Sequence, residues 1–183
     1  MDETIIQRLL DLNQHFYQVF AGAFSATRQR IQPGMVRLLP HLAEWPRLLD
    51  LGCGNGGLGA AWLEVNPAGE YWGLDFSTGL LGKAEELLHH HPNSQLVQAD
   101  LGQPGWSSVL PAREWPAITA FASLHHIPGF SRRQALLAEA ASLLAPGGRL
   151  IFSVWQFQHS PRLVKRIQPW RLVGMDPADL EEG

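Results

Sequence analysis

The residues of this chain with the clearest chemical meaning are those from Leu48 to Gly56, which read LLDLGCGNG. An apolar run of strand length meets an acidic residue, Asp50, and glycines then stand at every second position. Residues of helical character follow from about Leu58. A strand, a tight glycine turn and a helix N-terminus together expose backbone N–H groups and let a ligand approach the main chain closely. The acid two positions before Gly52 indicates that the bound group is a cation or a polyol rather than a diphosphate.

Two ligand classes compete for this turn. Gly52, Gly54 and Gly57 have the spacing of a dinucleotide-binding fingerprint, and Asp75 stands about where such proteins carry a ribose-binding acid. However, that fingerprint normally has an apolar residue at the position of Asp50, because a carboxylate there would repel pyrophosphate. The chain also holds no second domain for a hydride acceptor. Both features argue against a dehydrogenase.

Three acidic residues, Asp50, Asp75 and Asp100, stand at the ends of predicted strands. In an open α/β sheet, ligands bind at that edge. A ligand with an α-amino group, a sulfonium, a ribose and an adenine needs one acid near its amino group, one for its ribose hydroxyls and one for its adenine amino group. It also needs a glycine turn against its amino acid and ribose. Phe76 and Leu101, which directly follow their acids, could sandwich the adenine plane.

The rest of the sequence alternates helices and strands. Residues 3–31 have apolar positions with a period near 3.6, a break follows at 32–34, and a shorter helix runs to about Leu42. Residues 145–149 predict a turn before the last strand. The strand candidates are 47–51, 70–75, 95–99, 116–122 and 149–155, and the helix candidates are 57–65, 78–90 and 131–144, with a turn or short helix around 104–112. This order predicts an α/β fold with a parallel sheet of about five strands, helices on both faces and an N-terminal helical extension.

We expect three segments along the chain: a helical cap at 1–45, a core at 46–155, and a basic segment with an acidic tail at 156–183. A chain of 183 residues is long enough for one domain with a substantial core. It has no apolar stretch of membrane-spanning length, no signal-peptide pattern and one cysteine, so a cytoplasmic location is expected. The net charge of −3 argues weakly against a nucleic-acid partner.

Across about residues 45–155 the chain resembles the class I S-adenosylmethionine-dependent methyltransferases. The matching segments are LLDLGCGNG, GLDFS at 73–77, QAD at 98–100, FASLHH at 121–126 and LAPGGRL at 144–150. The resemblance implies a Rossmann-like sheet and S-adenosylmethionine as the cofactor, and no metal is expected. The residues expected to bind the cofactor are Asp50, Gly52, Gly54, Gly56, Asp75, Phe76, Asp100, Leu101 and the backbone near Ala122.

Shorter segments narrow the resemblance. FSATR at 24–28, LHHIP at 124–128 and SVWQ at 153–156 are similar to the tRNA wobble-uridine methyltransferases that esterify a 5-carboxymethyl group, including the domain fused to AlkB-type hydroxylases. In that family the first segment lies over the cofactor pocket, so Arg28 is a further candidate for cofactor binding.

Acceptor-side residues in this fold usually follow strand four, where His125 and His126 are the titratable side chains. One of them could act as a base or orient an anion, and the alternative is that both are loop histidines that cap or pack. The implied acceptor is a carboxylate, which is ionised at pH 7 without a base. Phosphates of tRNA are expected to contact the basic stretch formed by Arg162, Lys165, Arg166 and Arg171. A solvated helix face is the alternative for that stretch.

The resemblance is incomplete towards the C-terminus. The common sheet has seven strands, the last two forming an antiparallel hairpin, and no pair of strand-like runs follows Trp155. The expectation is therefore a shortened chain whose fifth strand has an open edge, completed by a homodimer or a small activator subunit. Two other functions stay open at this point: a small-molecule methyltransferase, and a cofactor-binding module without independent activity.

Overall fold

The computed structural model describes residues 1–27 and 31–181. In chain order its helices and strands are α1 (Glu3–Thr27), α2 (Pro33–Leu42), β1 (Arg47–Leu51), α3 (Gly57–Val65), β2 (Glu70–Asp75), α4 (Thr78–Leu88), β3 (Ser94–Gln98), β4 (Trp115–Phe121), α5 (Phe130–Ser142), β5 (Leu144–Ser153) and α6 (Pro161–Val164). Short 3₁₀ helices cover Trp106–Val109, Leu124–His126, Phe157–His159, Trp170–Val173 and Pro177–Asp179. None of the helices within the described ranges combines the length and the apolar character that crossing a bilayer requires.

The strands form one parallel sheet in the order β3-β2-β1-β4-β5. β1 is central: Leu49 lies opposite Trp72 of β2 on one side and Ile118 of β4 on the other. All carboxyl ends therefore lie at one edge, and the strand order reverses between β1 and β4. Such a reversal opens a crevice outside the strand ends. The predicted α/β fold with a five-stranded parallel sheet is confirmed.

Helices cover both faces of the sheet. Because successive residues of a strand point to opposite sides, each strand contributes side chains to the core on either face. On one face, Leu49 and Leu51 of β1 belong to a buried cluster with Leu136 of α5. On the other face, Leu48 belongs to a second cluster with Trp62 of α3. The apolar residues of β1 are thus buried on both sides of the sheet, which explains why its sequence is not an alternation of apolar and polar residues.

The turn predicted for residues 145–149 lies inside β5 rather than before it, because the strand already begins at Leu144. The Cα pairs at this point of the ladder are Trp115 with Leu144 and Ala117 with Arg149. Residues 145–148 are therefore an irregularity inside the strand, with pairing on both sides. Pro116 has no N–H with which to continue the ladder, and Gly147 has a φ of +76°, which suits a tight bend.

The N-terminal helix α1 packs against α4 and covers the cavity at the carboxyl edge of the sheet. Among its described side chains, the buried apolar ones are Ile6, Leu10 and Tyr17. The C-terminal residues contact this helix and the residues before it: the Arg8 guanidinium of α1 donates to the Val173 carbonyl, and the Met1 ammonium lies 3.1 Å from the Glu181 carboxylate. The expected division of the chain into three segments stays a prediction.

β5 lies at the end of the sheet. Among the described residues that follow it, 154–181 form short helices and turns and add no strand to the sheet. The outer edge of β5 therefore has no strand partner within the described part of the chain, and Phe152 on this strand is half exposed. An unpaired edge of this kind can accept a further strand.

Arg113 joins the strands at the opposite, amino-terminal edge of the sheet. Its guanidinium makes two hydrogen bonds to the carboxylate of Glu70, one of them 3.0 Å long. The same group lies 5.4 Å from the ring centroid of Trp72 and 5.1 Å from that of Trp115. A bidentate ion pair that packs against two indoles is more favourable than an ordinary surface pair. The aromatic rings restrict the motion of the guanidinium and partly shield it from water.

We therefore expect Arg113→Ala to lower the free energy of unfolding by about 1–2 kcal/mol. Lys83, which pairs with Glu86 on the exposed surface of α4, provides a matched control. Lys83→Ala should cost about 0.5 kcal/mol or less. Urea unfolding of the three proteins measures the difference, and equal losses for both variants would show that the indoles contribute nothing.

Candidate cofactor-binding site

A cavity of about 380 Å³ opens at the carboxyl edge of the sheet, between the strand ends and α1. This volume lies within the range of small-molecule and cofactor sites. Parallel strands end at one edge, so the topology brings together residues that are distant in the sequence. Of the residues predicted to bind a cofactor, those that line the cavity are Asp50, Gly52, Gly54, Asp75, Phe76, Asp100, Leu101 and Ala122. The contact assigned to each of them stays a prediction.

The glycine turn leaves one part of the cavity floor without side chains. A Cβ added to Gly52 would lie 2.3 Å from the Oγ of Ser123, so the segment after β4 closes that side of the turn. Gly54 has a φ of +57°, and a Cβ added to it would meet no atom within 4 Å. The bare main chain at Gly54 therefore faces open space. This is the room that an adenosyl ligand needs to lie against the turn.

Gly56 has a different surrounding from the other two glycines. A Cβ added there would lie 3.0 Å from the Cβ of Ala84 in α4, and Gly56 is not among the described residues that line the cavity. The structure places it at the start of α3, where it allows α3 and α4 to approach each other. Its predicted contact with the cofactor stays a prediction.

Asp75 connects two strand ends through its carboxylate. One oxygen, Oδ2, accepts a hydrogen bond of 2.9 Å from the Gly54 N–H, and the other, Oδ1, accepts one of 2.9 Å from the Ser77 N–H at the start of α4. Burial raises the pKa of Asp75, and the backbone hydrogen bonds oppose this effect. Each carboxylate oxygen can accept a second hydrogen bond, so the group can still bind two ligand hydroxyls.

Asp50 lies in a buried hydrogen-bond network. The Tyr71 hydroxyl donates to its Oδ2 at 2.9 Å, and the Thr119 hydroxyl donates to its Oδ1 at 2.8 Å. Burial raises the pKa of Asp50 to about 6, although both hydrogen bonds lower it. The strand register explains the contact with Thr119, because this residue lies directly opposite Asp50 in the β1–β4 pair. Tyr71 reaches the carboxylate from β2.

Asp100 is held by its own turn and by α1. Its Oδ1 accepts a hydrogen bond of 2.9 Å from the Gly102 N–H, and its Oδ2 accepts one of 3.0 Å from the side-chain amide of Gln14. Phe76 and Leu101 both line the cavity nearby, as expected for the two sides of a planar group. Gln14 is a cavity residue that the sequence motifs do not reveal, because it comes from a helix outside them.

Ala122 directly follows β4 and has a φ of +54°, the one positive value for a non-glycine residue in the described part of the chain. Its N–H donates to the Ser153 carbonyl oxygen at 3.1 Å, which holds the backbone in this conformation. A non-glycine residue in the left-handed region costs about 1–3 kcal/mol and is often found at ligand sites. The strain supports the expectation that the backbone near Ala122 faces a ligand.

The two candidate catalytic histidines lie in different surroundings. His126 lines the cavity, and its Nε2 lies 2.9 Å from the Tyr17 hydroxyl. The ring of His125 stacks on Trp155, with centroids 5.2 Å apart and an interplanar angle of 27°. His125 is not among the described residues that line the cavity. The geometry therefore favours His126 as the residue that meets a ligand.

One predicted residue, Arg28, remains to be located, and the single cysteine of the chain lies within the glycine turn. Arg28 lies outside the described residues, as do the side chains of 24–27, so their expected position over the pocket stays a prediction. Cys53 is buried against the second core cluster, and burial raises the pKa of its thiol well above the usual value. The thiol is therefore protonated at neutral pH and packs as a small apolar group.

A methyltransferase domain family model matches residues 49–150, more than half of the chain. The chain belongs to the methyltransferase domain family. The matched region begins within β1 and ends within β5, and it includes the carboxyl ends of β1 to β4. The prediction that the chain belongs to a methyltransferase family is thus confirmed.

Among curated proteins, the chain is similar to tRNA (carboxymethyluridine(34)-5-O)-methyltransferase ALKBH8 of Macaca fascicularis. They are 31% identical over 142 residues, which cover 78% of this chain and 19% of that protein. It is also similar to the tRNA (carboxymethyluridine(34)-5-O)-methyltransferase of Arabidopsis thaliana, with 27% identity over 165 residues, 84% of this chain and 37% of that protein. The chain thus spans well under half the length of these relatives.

Among solved structures, the chain is similar to CalS10, an amino pentose methyltransferase from Micromonospora echinaspora with bound S-adenosylmethionine. The TM-score is 0.60 at 23% identity, and the match covers 76% of this chain and 57% of that one. At this identity the likeness shows the fold alone. The neighbour holds the cofactor that the glycine turn and the three acids predict for this chain.

The raised pKa of Asp50 makes the stability of the protein depend on pH. Because the pKa is about 6 in the folded chain against 3.8 in the unfolded one, folding favours the protonated carboxyl. Its contribution to stability is complete below pH 3.8 and is lost as the pH rises through about 6. Asp50→Asn cannot ionise, so the wild type should lose on the order of 3 kcal/mol relative to this variant between those limits.

Urea unfolding of both proteins between pH 4 and pH 8 measures this difference. Asp75 also titrates with a raised pKa, but it is present in both proteins and its contribution largely cancels in the comparison. A constant difference over the whole pH range would contradict the buried, raised carboxyl.

Proposed function

We propose that the protein is an S-adenosylmethionine-dependent methyltransferase whose acceptor is the carboxymethyl group of a tRNA wobble uridine. For the methyl donor, the proposal rests on the cavity that Asp50, Asp75 and Asp100 line together with the bare backbone of Gly54. When bound, the sulfonium of the cofactor supplies an electrophilic methyl group. The chain's own residues then have to bind the donor, exclude water and align the acceptor.

Each acid suits one part of the donor. Asp50 has two remaining lone-pair positions and is the acid nearest to the glycine turn in sequence, which suits the α-amino group. Asp75 can accept from the two ribose hydroxyls while it holds the turn through Gly54. Asp100 suits the adenine amino group, and Phe76 and Leu101 suit the faces of the adenine ring.

The acceptor half rests on the relatives and on the chemistry of the site. Both curated relatives are named as carboxymethyluridine methyltransferases. A carboxylate acceptor is ionised at neutral pH and needs alignment rather than deprotonation. His126 is the titratable side chain after β4 that lines the cavity, and an imidazole can orient an anion there. The site thus needs no acid–base pair for this acceptor.

The segment after β5 supports a nucleic-acid partner. Residues 154–175 include no acidic residue, and the basic side chains among them are exposed: Arg162, Lys165, Arg166 and Arg171. Trp170 stands beside Arg171 and is 42% exposed. Exposed cations interleaved with aromatic side chains suit phosphates and unpaired bases. A tRNA substrate also agrees with the expected cytoplasmic location.

Besides the proposed function there are two alternative functions and one further partner. A small-molecule acceptor, or a cofactor-binding module without activity of its own, would use the same donor cavity and leave the basic segment without a role. A homodimer or a small activator subunit has a possible place at the outer edge of β5, which lacks a strand partner in the described chain. The experiments below separate the acceptors.

Asp75→Ala should weaken the binding of S-adenosylhomocysteine by about 10- to 100-fold, because a charge-assisted hydrogen bond to the ribose is lost and the turn loses its support. Glu85→Ala, on the exposed side of α4, is the matched control and should bind as the wild type does. Isothermal titration calorimetry on the full chain gives the affinities. No binding by the wild type, or equal affinities for wild type and Asp75→Ala, would overturn the donor half.

Lys165→Glu should weaken the binding of tRNA that carries a wobble carboxymethyluridine and should lower the slope of log affinity against log salt by about 1. Lys83→Glu changes the net charge equally on α4 and should leave the affinity almost unchanged. Binding of the tRNA at several salt concentrations measures both effects. If tRNA does not bind at low salt while small acceptors are methylated, the acceptor is a small molecule; if nothing is methylated, the chain is a binding module.

A further inference from the structure

Tyr17 of α1 contacts both sides of the cavity. Its ring lies edge-on to Phe76, with centroids 5.9 Å apart, and edge-on to His126, with centroids 5.3 Å apart. Phe76 follows β2 on the side assigned to the donor, and His126 follows β4 on the side assigned to the acceptor. Tyr17 itself is 9% exposed and lines the cavity. One buried side chain therefore connects the two halves of the site.

The contact with His126 is polar as well as aromatic. The Tyr17 hydroxyl lies 2.9 Å from Nε2 of His126, a normal hydrogen-bond distance. The rings are nearly perpendicular, at 89°, so the hydroxyl reaches Nε2 while the ring edge restricts rotation of the imidazole. The partner of one ring nitrogen decides which nitrogen carries the proton in the neutral form.

We propose that Tyr17 is a positioning residue that acts through His126. Its hydroxyl donates to Nε2 and thereby holds the neutral ring in the tautomer that carries its proton on Nδ1. In this tautomer Nδ1 is a hydrogen-bond donor rather than an acceptor. The hydrogen bond stands on the geometry alone, whereas its effect on turnover rests on the proposed methyl transfer.

A packing role would be the simpler explanation, and Tyr17→Phe separates the two. This variant keeps the ring and its contacts with Phe76 and His126 and removes only the hydroxyl. If Tyr17 only packs, the variant should match the wild type in every property of His126. If the hydroxyl positions the imidazole, the tautomer of His126 should change while the cofactor affinity does not.

The first experiment needs no acceptor. Long-range ¹H–¹⁵N spectra of the labelled full chain, recorded at a pH where the ring is neutral, report which imidazole nitrogen carries the proton. His126→Gln assigns the signal. We expect the Nδ1–H tautomer to dominate in the wild type and to lose that dominance in Tyr17→Phe. A wild type with the proton on Nε2, or identical spectra of both proteins, would overturn the proposal.

Tyr71→Phe is the matched control, because Tyr71 is the other of the two tyrosines in the chain. It loses a hydroxyl that donates to Asp50 rather than to His126. It should therefore leave the His126 tautomer as in the wild type. A change of the same size in both variants would show that His126 responds to a general loosening of the site and would count against a specific role of Tyr17.

The second experiment measures turnover on the carboxymethyluridine tRNA. Tyr17→Phe should lower kcat by about fivefold, the effect of one neutral hydrogen bond, while KM for the methyl donor and the affinity for S-adenosylhomocysteine stay within about twofold. An unchanged kcat, with an active wild type, would overturn the functional part. If the wild type itself does not methylate this tRNA, the proposed acceptor fails, and the spectra still decide the role of Tyr17.

Discussion

A parallel sheet brings all its strand ends to one edge, but it does not by itself align the loops that leave them. In this protein the alignment depends on the Asp75 carboxylate, which accepts the Gly54 N–H from the turn after β1 and the Ser77 N–H from the start of α4. The glycine turn and α4 are thereby fixed to the end of β2. The Asp75 carboxylate thereby holds the turn whose bare main chain at Gly54 faces the cavity.

Burial of the Asp50 and Asp75 carboxylates costs the folded chain free energy when no ligand is bound. Asp50 and Asp75 are both buried at the edge of one cavity, and burial raises the pKa of each. Neighbouring hydrogen bonds from Tyr71 and Thr119 compensate for part of the desolvation of Asp50. A ligand with a cationic amino group and two ribose hydroxyls compensates for more of it. The site is therefore less favourable empty than filled, as expected for residues arranged for binding.

Much of the donor side could be predicted from the sequence, because strand ends, acids and glycines follow one another locally along the chain. The residues that were missed come from contacts between distant elements. Gln14 and Tyr17 lie on α1, whose apolar period describes its packing and not the loops that it meets. The strand pairing of Leu144 before the interruption at 145–148 was missed for the same reason, because it depends on Trp115 in the neighbouring strand. The separate positions of His125 and His126 depend on Trp155 and on α1.

The strand order places the residues assigned to the donor and those assigned to the acceptor at different parts of the sheet edge. Two of the acids assigned to the donor, Asp50 and Asp75, lie at the carboxyl ends of β1 and β2, and Asp100 follows β3. Ala122, His126 and Trp155 follow β4 and β5. The segments that follow β4 and β5 can accumulate substitutions or insertions, and the outer edge of β5 can gain a strand, without changing the hydrogen bonds that hold Asp75 and Asp100. A lineage with this architecture can therefore exchange one methyl acceptor for another while its donor pocket stays the same. α1 limits that freedom, since Tyr17 touches both halves and any new acceptor must still fit beneath it.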